Sequence, residues 1–202
     1  MIGILDYDAG NTANVMKACA YLGIDTVLSA DQDVLAQADG LILPGVGAFR
    51  EAMNALTGRN LVSFLRDQAA SGKPLLGICL GMQLLFTSSS EFGQTAGLDI
   101  LPGTVAPIPA GAGLKVPHMG WNVNQAVRQT VFGRTFDQQA TYFVHSFYVQ
   151  TAARNVVCTT DYGVSIPSVV QQSNVVGMQF HPEKSGAVGL AGLAAFKEMV
   201  TG

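Results

Sequence analysis

The sequence predicts an α/β fold: an open, mostly parallel (mixed) sheet with helices on both faces. Three observations predict it. In the first half, short apolar segments alternate with amphipathic helical periods. Those segments are nearly continuous in apolar residues, as in parallel strands covered on both sides. Beyond residue 98 the helical period fades into short apolar stretches with Gly and Pro, which reads as a more antiparallel, hairpin-rich portion of the sheet.

Each element has a local reason. Ile2–Asp6 reads as a strand. Asn11–Leu22 is an amphipathic helix, with Val15, Met16, Cys19 and Leu22 at helical spacing. Asp25–Ser29 is a short strand. Gly40–Leu43 is a fully apolar strand that ends at Pro44. Helical patterns cover Phe49–Ala55 and Leu61–Ala70, and Gly72-Lys73-Pro74 stops the second. Pro74–Ile78 is a strand that runs into a tight turn at Cys79, and an apolar, helix-like segment follows. Residues 98–176 supply the hairpin-rich portion, Val175–Phe180 a buried strand and Gly189–Val200 a closing helix. No repeat, low-complexity tract or linker divides the chain, so a single domain over residues 1–202 is expected.

Composition narrows the function classes. The 202 residues are 49% hydrophobic and only 12% charged, with a net charge of −3 and no basic run, which argues against nucleic acid or an anionic membrane as partner. No apolar run is long enough to span a bilayer. The chain enters its first strand without a signal peptide. Three cysteines without framework spacing suit a reducing compartment, so a cytoplasmic location is expected.

Chemistry concentrates at Gly77-Ile78-Cys79-Leu80-Gly81. A strand, a Gly-x-Cys-x-Gly pentapeptide and a helix make the pattern of a nucleophile elbow, with Cys79 at the tip. The sharp turn needs residues without a β-carbon on both sides, and Gly77 and Gly81 provide them. The tip lies at a helix N-terminus, where the dipole and unpaired N–H groups favour a thiolate. A free cysteine without such a setting is an ordinary buried hydrophobe, and Cys19 and Cys158 read that way.

A thiol nucleophile needs a base, and the base an orienting carboxylate. His181-Pro182-Glu183 follows the strand at Val175–Phe180 directly. If Pro182 holds the segment extended, His181 and Glu183 can project the same way off the strand end. Cys79, His181 and Glu183 are therefore the expected catalytic triad. Asp6–Asn11, Pro44–Phe49, Cys79 and His181–Glu183 all lie at carboxyl ends of strands, where open α/β sheets place their sites.

On these residues the chain resembles the class I (triad) glutamine amidotransferases. Within them it is similar to the glutaminase-subunit family of imidazole glycerol phosphate synthase. The resemblance rests on Asp6-Tyr7 with Gly10-Asn11, Leu43–Phe49, Gly77–Phe86, Lys115–Asn122, Tyr142–Ser146 and Gln179–Ser185, and so runs almost the full length. Pro44-Gly45-Val46-Gly47, Pro117–Asn122 and His181–Ser185 are its most specific segments. The first loop departs from the family form: Asp8 stands where glycine is expected, and Thr12 where an apolar residue is expected.

The resemblance implies hydrolysis of glutamine to glutamate and ammonia through a cysteine thioester, with no metal or organic cofactor. The Leu80 N–H, just after the nucleophile, is one expected oxyanion donor, and the Val46 or Gly47 N–H the second. A phosphate cradle at Pro44–Gly47 is disfavoured, because the Lys and Ser/Thr of a Walker motif are absent. Gln83 and Glu91 are candidates for the polar head of glutamine, faced by the backbone around His145-Ser146-Phe147. Gln83 also reads as a core-polar or capping contact, and His145 as structural. Glu91 follows a serine-rich stretch, read as a loop, that is less acidic than the family pattern. The family delivers its ammonia to a (β/α)8-barrel cyclase subunit. That partner is expected here as a separate chain in a heterodimer, acting in histidine biosynthesis. Asn11, His118, Trp121, Asn122, Tyr142 and Lys184 are the expected interface residues; for Trp121 a core position fits the sequence equally. The alternatives are a glutaminase serving another synthase and a catalytically silent binding subunit of the same fold.

Overall fold

The computed structural model describes residues 1–109, 111 and 114–202. Its first half is built of β1 (Ile2–Leu5), α1 (Thr12–Tyr21), β2 (Thr26–Ser29), α2 (Gln32–Ala36), β3 (Gly40–Leu43), α3 (Phe49–Gly58), α4 (Leu61–Ala70), β4 (Leu75–Ile78) and α5 (Leu80–Leu84). Next come β5 (Phe86–Ser89), β6 (Thr95–Ala96), β7 (Leu101–Pro107), β8 (His118–Ala126), α6 (Val131–Phe136), β9 (Ala140–His145) and β10 (Phe147–Gln150). The chain closes with β11 (Val156–Asp161), β12 (Ser165–Gln172), β13 (Val175–Met178) and α7 (Gly186–Thr201).

A nine-stranded mixed sheet runs in the order β2-β1-β3-β4-β13-β12-β11-β8-β9. The five strands from β2 to β13 are parallel to one another, and the other four add antiparallel. Strands β1, β3, β4 and β13 are buried at every residue, which is why their sequences are apolar throughout rather than alternating. Two apolar layers cover the sheet. One gathers Leu43, Phe49, Leu65 and Phe86; the other Ile42, Cys19, Phe136, Phe180 and Phe196.

The expected strand at Gly40–Leu43 and helix at Leu61–Ala70 have the bounds read from the sequence. Other features differ. Of the serine-rich stretch expected as a loop, Thr87–Ser89 belong to β5, which joins β6, β7 and β10 in a second, four-stranded sheet, order β10-β7-β5-β6. Helix α2 is too short to show a period. Its cap marks it: the Asp31 side chain accepts from Asp33 N at 2.8 Å. Helix α6 interrupts the hairpin-rich region behind a Thr130 cap on Gly133 N at 3.0 Å.

One pairing positions everything that follows. β4 and β13 are adjacent and parallel, with Gly77 opposite Gly177 and Ile78 opposite Met178. The chain therefore leaves both strands at the same level and on the same edge of the sheet. The Cys79 N–H donates to the Met178 carbonyl at 2.8 Å, so the turn begins while still tied to its neighbour.

Candidate active site

Cys79 sits between β4 and α5 with φ 55° and ψ −111°, a conformation rare for a residue with a side chain. Such strain costs on the order of 1–3 kcal/mol and survives only where surrounding structure imposes it. Here the imposing structure is close packing of backbone. A β-carbon on Gly77 would come within 2.7 Å of the Gly81 carbonyl oxygen. One on Gly81 would lie 1.9 Å from the Leu43 carbonyl oxygen, at the end of β3. The elbow is thus wedged between β3 and its own helix.

His181 leaves the end of β13 next to this turn; the segment that carries Glu183 is not extended as expected, because Pro182–Lys184 winds into a short 3-10 helix. His181 Nδ1 lies 2.8 Å from Glu183 Oε1, and both side chains are almost wholly buried. With the Glu183 carboxyl group on Nδ1, the second ring nitrogen, Nε2, is left for chemistry. Among the described residues Nε2 has no hydrogen-bond partner of ordinary geometry. The Cys79 sulfur is nonetheless near enough to act on the ring. Burial alone would lower the His181 pKa, but Cys79 and Glu183 outweigh it, and the pKa is pushed up to about 9. The pair of neighbours therefore favours an imidazolium.

Cys79 and His181 open onto one cavity of about 380 Å³. Its wall includes Val46, Gly47, Leu80, Gln83, Glu91, Pro117, Val144 and residues 145–147. Every expected catalytic, oxyanion and substrate-binding residue except Glu183 lines it. Glu183 stands behind His181, as an orienting group must.

The walls are held by a connected set of hydrogen bonds. Gln83 Nε2 donates to the Phe147 carbonyl at 2.9 Å and to Gln179 Oε1 at 3.0 Å. The Phe147 carbonyl also faces His145 Nδ1 at 2.8 Å. His145 Nε2 is 3.0 Å from His118 Nδ1. Glu91 Oε2 accepts from the Phe49 N–H at 2.8 Å, at the start of α3, so this carboxylate also fixes the helix that follows the Val46-Gly47 loop. Beneath that loop the fully buried Tyr7 donates its hydroxyl to the Pro44 carbonyl. Burial and the neighbouring Cys79 push the Tyr7 phenol well above its ordinary range, so it stays a donor.

His118 corrects a sequence expectation. It is 2% exposed, stacked on Tyr162 at 3.9 Å and on Phe143 at 4.8 Å, so it does not present itself to a partner surface. Trp121 is 58% exposed, so it is not a core residue. Its ring meets Tyr142 edge-on at 6.1 Å, and Lys184 Nζ lies 5.9 Å over the Tyr142 ring. Asn122 is half-buried, its amide donating to the Asp161 carbonyl at 2.9 Å. Asn11, also half-buried, precedes α1 without a side-chain cap bond. Asp8, in the divergent first loop, has φ 64°, the conformation that suits a glycine, and pairs with Arg59.

Tyr7 and Gln179 lie in segments that carry the resemblance but are not among the expected site residues. Gln179 had a signal. It is a polar residue in an otherwise apolar strand end, two positions before His181 and so on the same face.

Burial holds both His118 and His145 neutral, with pKa values lowered to about 4. In the unfolded chain both take up protons near pH 6.5. The stability that neutral imidazoles confer is therefore fully present above pH 6.5 and is lost as pH falls from 6.5 towards 4. Denaturant midpoints measured across this window should fall with acid, and more shallowly in His118→Phe. An equal slope in the variant would contradict this account of His118.

Residues 3–196 match the family Glutamine amidotransferase class-I. The protein named "Imidazole glycerol phosphate synthase subunit HisH" of Lacticaseibacillus casei (strain BL23) is 60% identical over 98% of this chain and 96% of its own length. The protein of the same name in Lactiplantibacillus plantarum is 57% identical over 100% of this chain and 97% of its own length. A crystal structure titled as a glutamine amidotransferase covers 100% of this chain and 99% of its own at a TM-score of 0.79. At 18% identity that likeness speaks for the fold alone. The chain belongs to the class I glutamine amidotransferases and, within them, to the family of HisH subunits.

Proposed function

We propose that Cys79 is the nucleophile of a glutaminase, with His181 as its acid–base partner and Glu183 as the group that orients His181. The observation that carries this reading is the seating of two unlinked segments side by side. The elbow from β4 and the His181-Glu183 pair from β13 meet at one cavity, with His181 Nε2 unpaired beside the sulfur.

The reaction follows from that arrangement. His181 holds the proton of Cys79, and the thiolate attacks the amide carbon of glutamine. The N–H of Leu80 and that of Val46 or Gly47 stabilise the oxyanion. His181 passes its proton to the leaving ammonia, and water, activated by His181, hydrolyses the glutamyl thioester to glutamate. Gln83 and Glu91, with the backbone at 145–147, hold the polar head of the substrate.

Ammonia released into bulk water would be protonated and lose its nucleophilicity. The relatives are named as subunits of imidazole glycerol phosphate synthase, which supports transfer to a second subunit. In this reading the partner is a separate (β/α)8-barrel cyclase, the assembly is a heterodimer, and its products serve histidine biosynthesis. The face bearing Trp121, Tyr142 and Lys184, with Asn11 and Asn122, supplies the contact. Large exposed aromatics suit that role. The glutaminase acts as one domain over residues 1–202. A reducing cytoplasm suits three free cysteines, one of them a nucleophile.

A glutamine analogue carrying an electrophile at the amide carbon tests the assignment. Mass spectrometry should find one adduct, on Cys79, with parallel loss of activity and protection by glutamine. Labelling of Cys19 or Cys158 instead, or inactivation without an adduct on Cys79, would overturn it.

A further inference from the structure

Gln179 is wholly buried, yet it is no part of the triad, of the oxyanion donors or of the expected substrate contacts. Its backbone N–H donates to the Ser168 carbonyl at 2.9 Å. Its side chain lies between two groups of the site. Oε1 accepts from Gln83 Nε2 at 3.0 Å, and Nε2 points to the Cys79 sulfur at 3.9 Å.

The orientation of both amides is fixed by chemistry. The Phe147 carbonyl can only accept. The Gln83 group beside it must therefore be its NH₂, and the same NH₂ faces Gln179. The Gln179 atom that meets it must be the oxygen. Only then does the Gln179 NH₂ turn to the sulfur. Flipping either amide would put oxygen against oxygen at Phe147, or NH₂ against NH₂ between the two glutamines. A backbone carbonyl thus anchors a directed chain, from Phe147 through Gln83 and Gln179 to Cys79.

We propose that Gln179 is a further residue of the catalytic machinery, donating its amide N–H to the Cys79 thiolate and locking Gln83 with its carbonyl oxygen towards the substrate. This rests on Cys79 being the nucleophile. The 3.9 Å approach is long for a neutral thiol, and charge on the sulfur draws the donor in, because hydrogen bonds to ions are shorter and stronger. In a buried site such a bond favours the charged form of the acceptor. The second consequence is a matter of binding. With both N–H bonds of Gln83 committed, only its oxygen is left to face the cavity, which suits the ammonium group of an amino-acid substrate.

Two variants separate the roles. Gln179→Glu keeps an acceptor for Gln83 but places a carboxylate where the donor was. Gln179→Met removes donor and acceptor at similar length. The primary measurement is the rate of Cys79 alkylation by iodoacetamide against pH, in the full chain, read by mass spectrometry at that cysteine. This readout does not depend on the substrate, so it stands even if the chain proves not to hydrolyse glutamine. The midpoint should move up by about one pH unit in Gln179→Met and further in Gln179→Glu, where a like charge adds to the lost bond. Glutamine hydrolysis with the cyclase partner supplies the second readout. Gln179→Glu should lower kcat with little change in KM, whereas Gln179→Met should lower kcat and raise KM about tenfold or more. An unshifted alkylation midpoint in a folded Gln179→Glu would overturn the proposal, even if activity fell. So would equal losses in both variants with KM unchanged in both. If Gln179→Met does not fold, the near-isosteric Gln179→Glu decides the matter alone.

Discussion

Cys79→Ala should lower kcat for glutamine hydrolysis by about 10⁴-fold or more while leaving the fold intact. The size follows from the mechanism. The oxyanion donors, the cavity and His181 remain, but no covalent intermediate can form, and water would have to attack the amide directly. The fold should survive because the sulfur's hydrogen bonds to the Val144 carbonyl and from Gln179 are long, each 3.9 Å, and its place beside His181 serves the chemistry rather than the packing. Alanine inherits the strained backbone of the elbow without relieving it. Circular dichroism and melting temperature should therefore match the parent. Activity within about tenfold of the parent would exclude Cys79 as nucleophile, whatever His181 does.

Gly81→Ala is the second large effect, and it acts through the fold. The new methyl would lie 1.9 Å from the Leu43 carbonyl oxygen and 2.8 Å from the Leu43 carbonyl carbon. Both are backbone atoms at the end of a fully buried strand, so no side-chain rotation relieves the clash. Either β3 and the elbow move apart, or α5 unwinds at its first turn. We expect a loss of about 4 kcal/mol or more, the range of severe core disruption, with activity lost as well. Gly58→Ala is the matched control. It is also a glycine within a helix, but a methyl there meets nothing within 4 Å. It should be neutral or stabilising by up to about 1 kcal/mol. Urea midpoints of the two variants check the pair. Similar midpoints would mean that the close approach at the elbow is not what holds Cys79 in place.

The same contrast explains what the sequence could and could not disclose. Buried parallel strands such as Gly40–Leu43 are apolar at every position and bounded by Gly or Pro, so their limits are visible. The elbow was legible because its glycines are a steric necessity that leaves a residue-type signature. Helices α2 and α6 were not, since five or six residues cannot display a 3.6-residue period. Their caps at Asp31 and Thr130 were the available clues.

Strand β8 misled for a more specific reason. Along His118–Ala126 the usual alternation is inverted. Met119, Trp121 and Val123 face outwards, while His118 and Asn124 are buried. The resemblance puts His118 and Trp121 alike at the interface, and the sequence alone leaves Trp121 equally suited to the core. The inversion marks a strand whose apolar face is turned to solvent in the isolated chain. Its buried histidine is stabilised by stacking on two aromatic rings and by its bond to His145. The chain from Phe147 to Cys79 was hidden for a related reason. It joins residues up to 100 positions apart, and only the adjacency of β4 and β13 brings them together.

The most direct measurement is glutamate release from glutamine by the full chain, alone and with a cognate barrel cyclase loaded with its nucleotide ligand, with Cys79→Ala run in parallel. The account predicts a glutaminase strongly activated by the loaded partner and silent in the variant. Activity that is high without the partner and unchanged by it would contradict the role of a subunit feeding a cyclase. No glutamate in any mixture, with folding confirmed, would contradict the triad itself.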